Sequence, residues 1–303
     1  MEECAALLGL GRLGSAIARR LLESGLRLII WNRTVSKAIE FSRKYGGIVA
    51  PSPAEAVSEC SDVHVVVADD DSNYSVLLGP QGVIEGLRKS GGRATIYNHV
   101  TVSIAHSATI SKLLSSIGVT YVEAPVIGGP DRAVRGELLV LCAAEDESHC
   151  AGQRLRLLGK VIYLGKPPLA AAAKLAFNIT FLGIVASLGE GLALAEAYGI
   201  EHERFLEAIL GNTWIKTIVE RYGRRLWPGG EARFTSSLAL KDSHYALRAL
   251  QERGVPGLIA AAVSGYYSLM VRENMGEEDY PSLAGFLAKL AERIRLQDSA
   301  RGG

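Results

Sequence analysis

The chain has almost no net charge. Its 303 residues carry 33 Lys and Arg against 32 Asp and Glu, a formal +1. The electrostatic footprint of a bulk nucleic-acid binder is therefore missing. Cysteine is scarce too: Cys4, Cys60, Cys142 and Cys150 are the whole set, and no two stand in CxxC spacing. A chain this long buries enough apolar surface to do without cross-links, so the pattern predicts four free thiols in a reducing cytoplasm. A secretory leader is not expected, because Glu2 and Glu3 are acidic where a signal peptide is basic, and Gly9, Gly11 and Arg12 break the apolar run that follows. Internal repeats and low-complexity tracts are lacking, and no metal is expected. The one long apolar stretch, Leu175 to Gly189, is bracketed by Lys174 and Glu190 and falls short of the ~20 residues of a bilayer crossing. It reads as a buried helix.

What is present alternates between two periods. Ala5 to Leu8 is a short apolar strand that runs into a glycine turn and an amphipathic helix. Leu26 to Trp31 reads as a second strand and Lys37 to Tyr45 as a second helix. Val63 to Val67, Ala94 to Tyr97 and Val119 to Val122 are further strands. Continuous apolar strands alternating with helices imply a parallel sheet covered on both faces. After Lys166-Pro167-Pro168 the strand signals stop and alanine- and leucine-rich helical patterns take over. The expected fold class is α/β: a Rossmann-type, doubly wound parallel sheet over residues 1–166, then an all-helical domain over 167–303 for substrate binding and dimerisation, with an active site in the cleft between them.

The turn after the first strand is Gly9-Leu10-Gly11-Arg12-Leu13-Gly14, a GxGxxG. Placed between a strand and a helix, it is the dinucleotide fingerprint: Gly9 for the tight turn, Gly11 for close approach of the pyrophosphate, Gly14 for helix–strand packing. The helix N-terminal amides near Arg12 and Leu13 would face the phosphates. The second strand ends at Asn32-Arg33-Thr34, with Lys37 one turn on. NAD-selective sites carry a carboxylate here, whereas an arginine clamps a 2′-phosphate. The cofactor expected is NADP (NADPH).

Lys174 and Asn178 lie four apart in an otherwise apolar helix, so they share a face. A lysine in such a helix either snorkels to the surface or has a task, and the pattern alone leaves both open. Trp214 and Trp227 stand out as core or interface anchors.

Taken in order, four segments resemble the β-hydroxyacid dehydrogenase family, which includes 3-hydroxyisobutyrate dehydrogenase and glyoxylate or succinic semialdehyde reductases and is related to imine reductases. GLGRLGSAIARRLLESG resembles its cofactor motif. Glu123-Ala124-Pro125-Val126-Ile127-Gly128-Gly129 resembles its substrate motif, DAPVSGG. Lys174 to Asn178 resembles its catalytic Lys-x-x-x-Asn, and Lys241-Asp242 its helical-domain Lys-Asp pair. The resemblance implies hydride transfer between a nicotinamide and a small hydroxy acid or the matching aldehyde or keto compound. Lys174 would be proton donor and acceptor, its pKa lowered by burial and the cationic ring, and Asn178 would hold the lysine or the substrate hydroxyl. It further implies cofactor contacts at Val67, Ala68, Thr101 and Lys241, and substrate contacts at Ile127, Gly128, Gly129 and Asp242. Two departures stand out: Ile127 replaces the family serine, and Val100 stands where a serine is often found. Loss of the serine hydroxyl favours a less polar or differently anchored substrate, with His99 and Arg132 as replacement donors. Two other activities fit the same motifs: an imine reductase or reductive aminase, against which Lys174 argues, and a catalytically silent cofactor-binding homologue. The partners expected are a small-molecule substrate and a second copy in a homodimer or homotetramer, with no nucleic acid and no membrane.

Overall fold

The computed structural model describes residues 4–91, 93–290 and 293. It divides into two compact units, Met1–Leu175 and Ala176–Gly303.

The first unit is built on six parallel strands: β1 (Cys4–Leu8), β2 (Arg27–Trp31), β3 (Ile48–Val49), β4 (Asp62–Val65), β5 (Thr95–Asn98) and β6 (Thr120–Glu123). Their spatial order is β3-β2-β1-β4-β5-β6. The chain starts in the middle of the sheet, winds outward to β3, then returns to β4 on the other side of β1. The reversal opens a crevice at the carboxyl ends of β1 and β4, where ligands of such sheets bind. Alternation along β1 shows why both faces are covered. Ala5 and Leu7 join a core with Ile17, Leu21 and Ile30, and Ala6 and Leu8 join one with Val65, Ile96 and Ile110 on the opposite face.

Three strands went unread in the sequence beyond β6: β7 (Val126–Ile127), β8 (Leu138–Cys142) and β9 (Gly159–Tyr163). They form a second sheet in which β8 pairs antiparallel with β7 and parallel with β9. A single antiparallel bridge, Glu123 to Ala143, ties it to the end of β6.

The cysteines correct an expectation. All four are paired, Cys4 with Cys60 and Cys142 with Cys150, at Cα separations of 5.4 and 5.9 Å. Cys4 opens β1 and Cys60 stands two residues before β4. These strands are neighbours, so the sheet brings together thiols that lie far apart in sequence.

The apolar stretch is longer than it looked, a 29-residue helix Leu169–Ala197. Its most apolar 18-residue window has a mean hydropathy of 1.8, so by length and composition it would suit a bilayer crossing. One side of it is core: Leu182, Val185, Leu188 and Leu192 are buried in the second unit with Tyr222, Val263 and Tyr267, while Phe177, Ile184 and Leu194 are exposed. The two compact units meet within this helix, at 175/176, and Ala170 and Ala171 pack within the first. The second unit continues with helices Lys216–Tyr222, Ser236–Glu252 and Leu258–Arg272. Trp227 packs against its core, whereas Trp214 is exposed.

Candidate active site

The glycine turn follows β1 into the helix Arg12–Glu23, for which Gly11 is the N-cap. At Gly9 (φ +110°) a Cβ would stand 2.2 Å from the carbonyl oxygen of Val66, just past β4, and at Gly14 one would stand 2.0 Å from the carbonyl oxygen of Gly9. Only hydrogen fits at either place. At Gly11, by contrast, a Cβ would meet no atom within 4 Å among the described residues. The turn is packed on one side and open on the side where first-turn amides point outward without intrahelical acceptors. A pyrophosphate fits that arrangement: open space, amide donors and a favourable helix dipole.

Asn32, at the end of β2, is committed to holding this turn. Its Oδ1 accepts from the Leu10 amide at 2.9 Å and its Nδ2 donates to the Thr34 carbonyl at 3.0 Å. The neighbouring Arg33, Thr34 and Lys37 are exposed, as is Arg12 at the start of the helix. Val67 and Ala68 follow β4, with Val67 beside Gly9. Thr101 lies half-buried beyond β5, and Val100 before it is a core residue.

Ile127 is half-buried on β7, and Gly128 (φ +132°) is exposed in the turn that follows. Arg132 sits beside that turn, with its Cβ and Cδ about 3.5 Å from where a Gly128 Cβ would stand. His99 is not available as a substrate donor, because both ring nitrogens are used inside the sheet. Nδ1 lies 2.8 Å from the Ala124 carbonyl and Nε2 lies 2.9 Å from His64 Nδ1. The Ala124 carbonyl can only accept, so His99 Nδ1 carries hydrogen and its Nε2 accepts from His64 Nδ1. His64 Nε2 is then a buried lone pair with no hydrogen-bond partner among the described residues. Burial holds both rings neutral, lowering His99 to about 4 and His64 well below its ordinary value.

Lys174 is half-buried near the start of the long helix, and Asn178 is buried one turn later. In the second unit Asn178 Nδ2 donates to Asp242 Oδ2 at 2.5 Å, and Lys241 Nζ forms an ion pair with Asp242 Oδ1 at 3.1 Å. Lys241 also lies over the Tyr245 ring. Asn178 Oδ1 is left buried without a hydrogen-bond partner among the described residues. An orphaned buried acceptor is costly, and a hydroxyl-bearing ligand would satisfy it.

Glu123 opens the substrate-like motif, and nothing in the sequence gives it a role. It is 2% exposed, and its carboxylate accepts from the Ser107 hydroxyl and, at 2.9 and 3.3 Å, from the amides of Ala170 and Ala171. The signal was legible: a charge closing an apolar strand must find partners.

A glycine turn of this geometry at the switch point of a parallel sheet defines a dinucleotide-binding unit. The NAD-binding domain of 6-phosphogluconate dehydrogenase matches residues 5–165, and the NAD-binding domain of NADP-dependent 3-hydroxyisobutyrate dehydrogenase matches residues 169–287. The chain belongs to the β-hydroxyacid dehydrogenase family, as dehydrogenases or reductases acting on CH–OH groups. It is 29% identical over 286 residues to an uncharacterized oxidoreductase of Bacillus subtilis, covering 92% of this chain and 97% of that one. It is 28% identical over 285 residues to glyoxylate/succinic semialdehyde reductase 2 of Arabidopsis thaliana, covering 91% and 77%. The fold matches 3-hydroxyisobutyrate dehydrogenase of Mycobacterium tuberculosis, solved with L-serine, at a TM-score of 0.77 and 21% identity over 95% of this chain and 99% of that one.

Proposed function

We propose that this protein is an NADP-dependent reductase and dehydrogenase interconverting a small hydroxy acid, or a less polar relative of one, with the matching aldehyde or keto compound. The observation that carries the reading is the helix Leu169–Ala197, which sets Lys174 one turn before a buried asparagine with an unsatisfied oxygen. When bound, the dinucleotide supplies or accepts the hydride. Lys174 Nζ would give a proton to the substrate oxygen when a carbonyl is reduced to CH–OH and would take it back in the oxidation. Asn178 Oδ1, with no partner among the described residues, would accept from the substrate hydroxyl, and Asp242 fixes the asparagine's orientation by holding its amide nitrogen. Gly128 and Gly129 offer backbone to a substrate carboxylate, with Arg132 alongside. Arg33, with no acidic neighbour before Glu40 in sequence, supports NADP as the preferred cofactor.

The test measures NADPH and NADH oxidation against glyoxylate, succinic semialdehyde and cyclic imines, and the reverse reaction with 3-hydroxyisobutyrate. Lys174→Ala should lower kcat by roughly 100-fold with the Kd for NADPH nearly unchanged. Arg33→Ala should erase about 1.5–3 kcal/mol of NADPH preference, the worth of a hydrogen bond to a charged group. Normal turnover in the first variant, or equal Kd values for the two cofactors in the unaltered protein, overturns the corresponding assignment. Turnover confined to imines would move the reading to an imine reductase.

A further inference from the structure

We infer that Glu123 is a positioning residue for the reaction: its buried carboxylate docks the first turn of the helix that presents Lys174. The inference rests on the reading of Lys174 as the proton-transferring group.

The amides of that turn can be accounted for one by one. Leu169 N donates to the Lys166 carbonyl at 3.1 Å and Ala172 N to the Pro168 carbonyl at 3.1 Å. The two between them, Ala170 N and Ala171 N, donate to Glu123 Oε2. A helix that starts inside a core leaves first-turn amides in need of acceptors, and here a carboxylate from the end of β6 supplies them, where the helix dipole also favours negative charge. Lys174 lies three residues beyond Ala171, less than one turn from the docking point.

The other carboxylate oxygen is held by Ser107, and a run of polar side chains in the same unit is hydrogen-bonded in one direction. His106 Nε2 lies 2.8 Å from Asn73 Oδ1, an acceptor, so His106 donates. Asn73 Nδ2 donates to Asn98 Oδ1 at 3.0 Å, and Asn98 Nδ2 to the Tyr121 hydroxyl at 2.9 Å. The Ser107 hydroxyl, from the residue after His106, donates to Glu123 Oε1. From His106 to Tyr121 each member donates to the next, so those local dipoles reinforce one another. The members come from helix Asp70–Leu78, β5, helix Ile104–Ser116 and β6. Burial raises the Glu123 pKa, whereas the Ser107 hydroxyl and the two amides lower it. Both oxygens are thus engaged within the fold. The first residue of the substrate motif therefore acts on the helix rather than on the substrate.

The test compares Glu123→Leu, which keeps bulk and removes the acceptor, with Glu123→Gln. The glutamine Oε1 can still take both amides while its Nε2 donates to Ser107. Kinetics use NADPH and whichever substrate of the panel above is turned over best. Glu123→Leu should lower kcat at least 10-fold with the KM for NADPH within about twofold, and Glu123→Gln should recover kcat to within about threefold. Hydrogen exchange at residues 170–174 should quicken at least 10-fold in Glu123→Leu and stay slow in Glu123→Gln. A folded Glu123→Leu with unchanged kcat overturns the inference, as does unchanged exchange at Ala170 and Ala171. If Glu123→Leu does not fold, Ser107→Ala takes its place, with an expected threefold loss of kcat at constant KM; an unchanged kcat overturns it. Lys174→Ala serves as the parallel control. Full turnover in that variant removes the reading of Lys174, while the exchange experiment still decides whether Glu123 holds the turn.

Discussion

Replacing Gly11 or Gly14 with alanine adds the same methyl group three residues apart, and the two variants should fail in opposite ways. At Gly14 the new carbon would lie 2.0 Å from the Gly9 carbonyl oxygen and 3.0 Å from its carbon, far inside the ~3.5 Å at which carbon begins to gain dispersion energy. Both partners are backbone, one in a helix and one in a turn wedged against Val66, so neither can swing aside. Overpacking of this kind costs about 1–3 kcal/mol, and a unit of this size loses roughly 2–4 °C of Tm per kcal/mol. At Gly11 the backbone (φ −69°, ψ −175°) is ordinary for alanine and no neighbour lies within 4 Å. The fold should be unharmed, or stabilised by about 0.4–1 kcal/mol through a stiffer unfolded chain. The methyl would instead occupy the space a pyrophosphate needs. One or two lost amide–phosphate hydrogen bonds at about 1.5–3 kcal/mol each weaken NADPH by roughly tenfold or more. Differential scanning fluorimetry reads the first effect, and titration of NADPH fluorescence reads the second. A Gly11→Ala protein that binds NADPH as tightly as the parent, or a Gly14→Ala protein that melts with it, would refute this account of the turn.

Ile127→Ser should raise kcat/KM about tenfold or more on small carboxylate-bearing substrates, by restoring a hydroxyl donor, and leave the Kd for NADPH in place; no gain on any carboxylate means that the pocket is shaped elsewhere. The buried histidine pair sets an acid limit. The His99 pKa is about 4 in the folded chain against an ordinary 6.5, so the unfolded chain binds the extra proton between these values. Stability is complete above pH 6.5 and should fall by about 3 kcal/mol as the pH drops toward 4; urea midpoints at pH 7.5 and 5 test it, and the slope should flatten in a His64→Leu/His99→Leu double variant. Thiol titration of the denatured protein should find four thiols only after reduction. Chain-entropy estimates put the loss at about 4 kcal/mol for Cys4–Cys60 (separation 56) and about 2.5 kcal/mol for Cys142–Cys150 (separation 8); no change in Tm on reduction counts against the pairs.

The strands that build the crevice were legible because each is an apolar run covered on both faces, as Val63 to Val65 shows. The smaller sheet was not. β7 is two residues long and β9 alternates between half-buried and exposed positions, so neither announces itself without its partner β8. The disulfides failed for a related reason: pairing Cys4 with Cys60 requires knowing that β1 and β4 are neighbours, which is a property of the crossover and not of spacing. At the site, Lys174, Asn178 and the glycine turn were readable from residue type and helix period. Roles that depend on who faces whom were not. His99 looked like a donor beside a strand end and proved to be spent on Ala124 and His64. Glu123 looked like one letter of a motif.

The hydrogen bonds of Asn32 bear on redesign of cofactor choice. The usual single-letter exchange for turning such a site toward NAD places aspartate at the end of the second strand. At Asn32 that change would remove the Nδ2 donor and set a carboxylate oxygen 3.0 Å from the Thr34 carbonyl, two acceptors with no hydrogen between them. The Leu10 amide would keep its acceptor while the far end of the latch sprang open, so the engineer would loosen the phosphate turn in the act of recruiting a ribose. The adjoining exposed position, Arg33, is free of that architectural duty, and a switch of preference written there could proceed by substitution without dismantling the cradle.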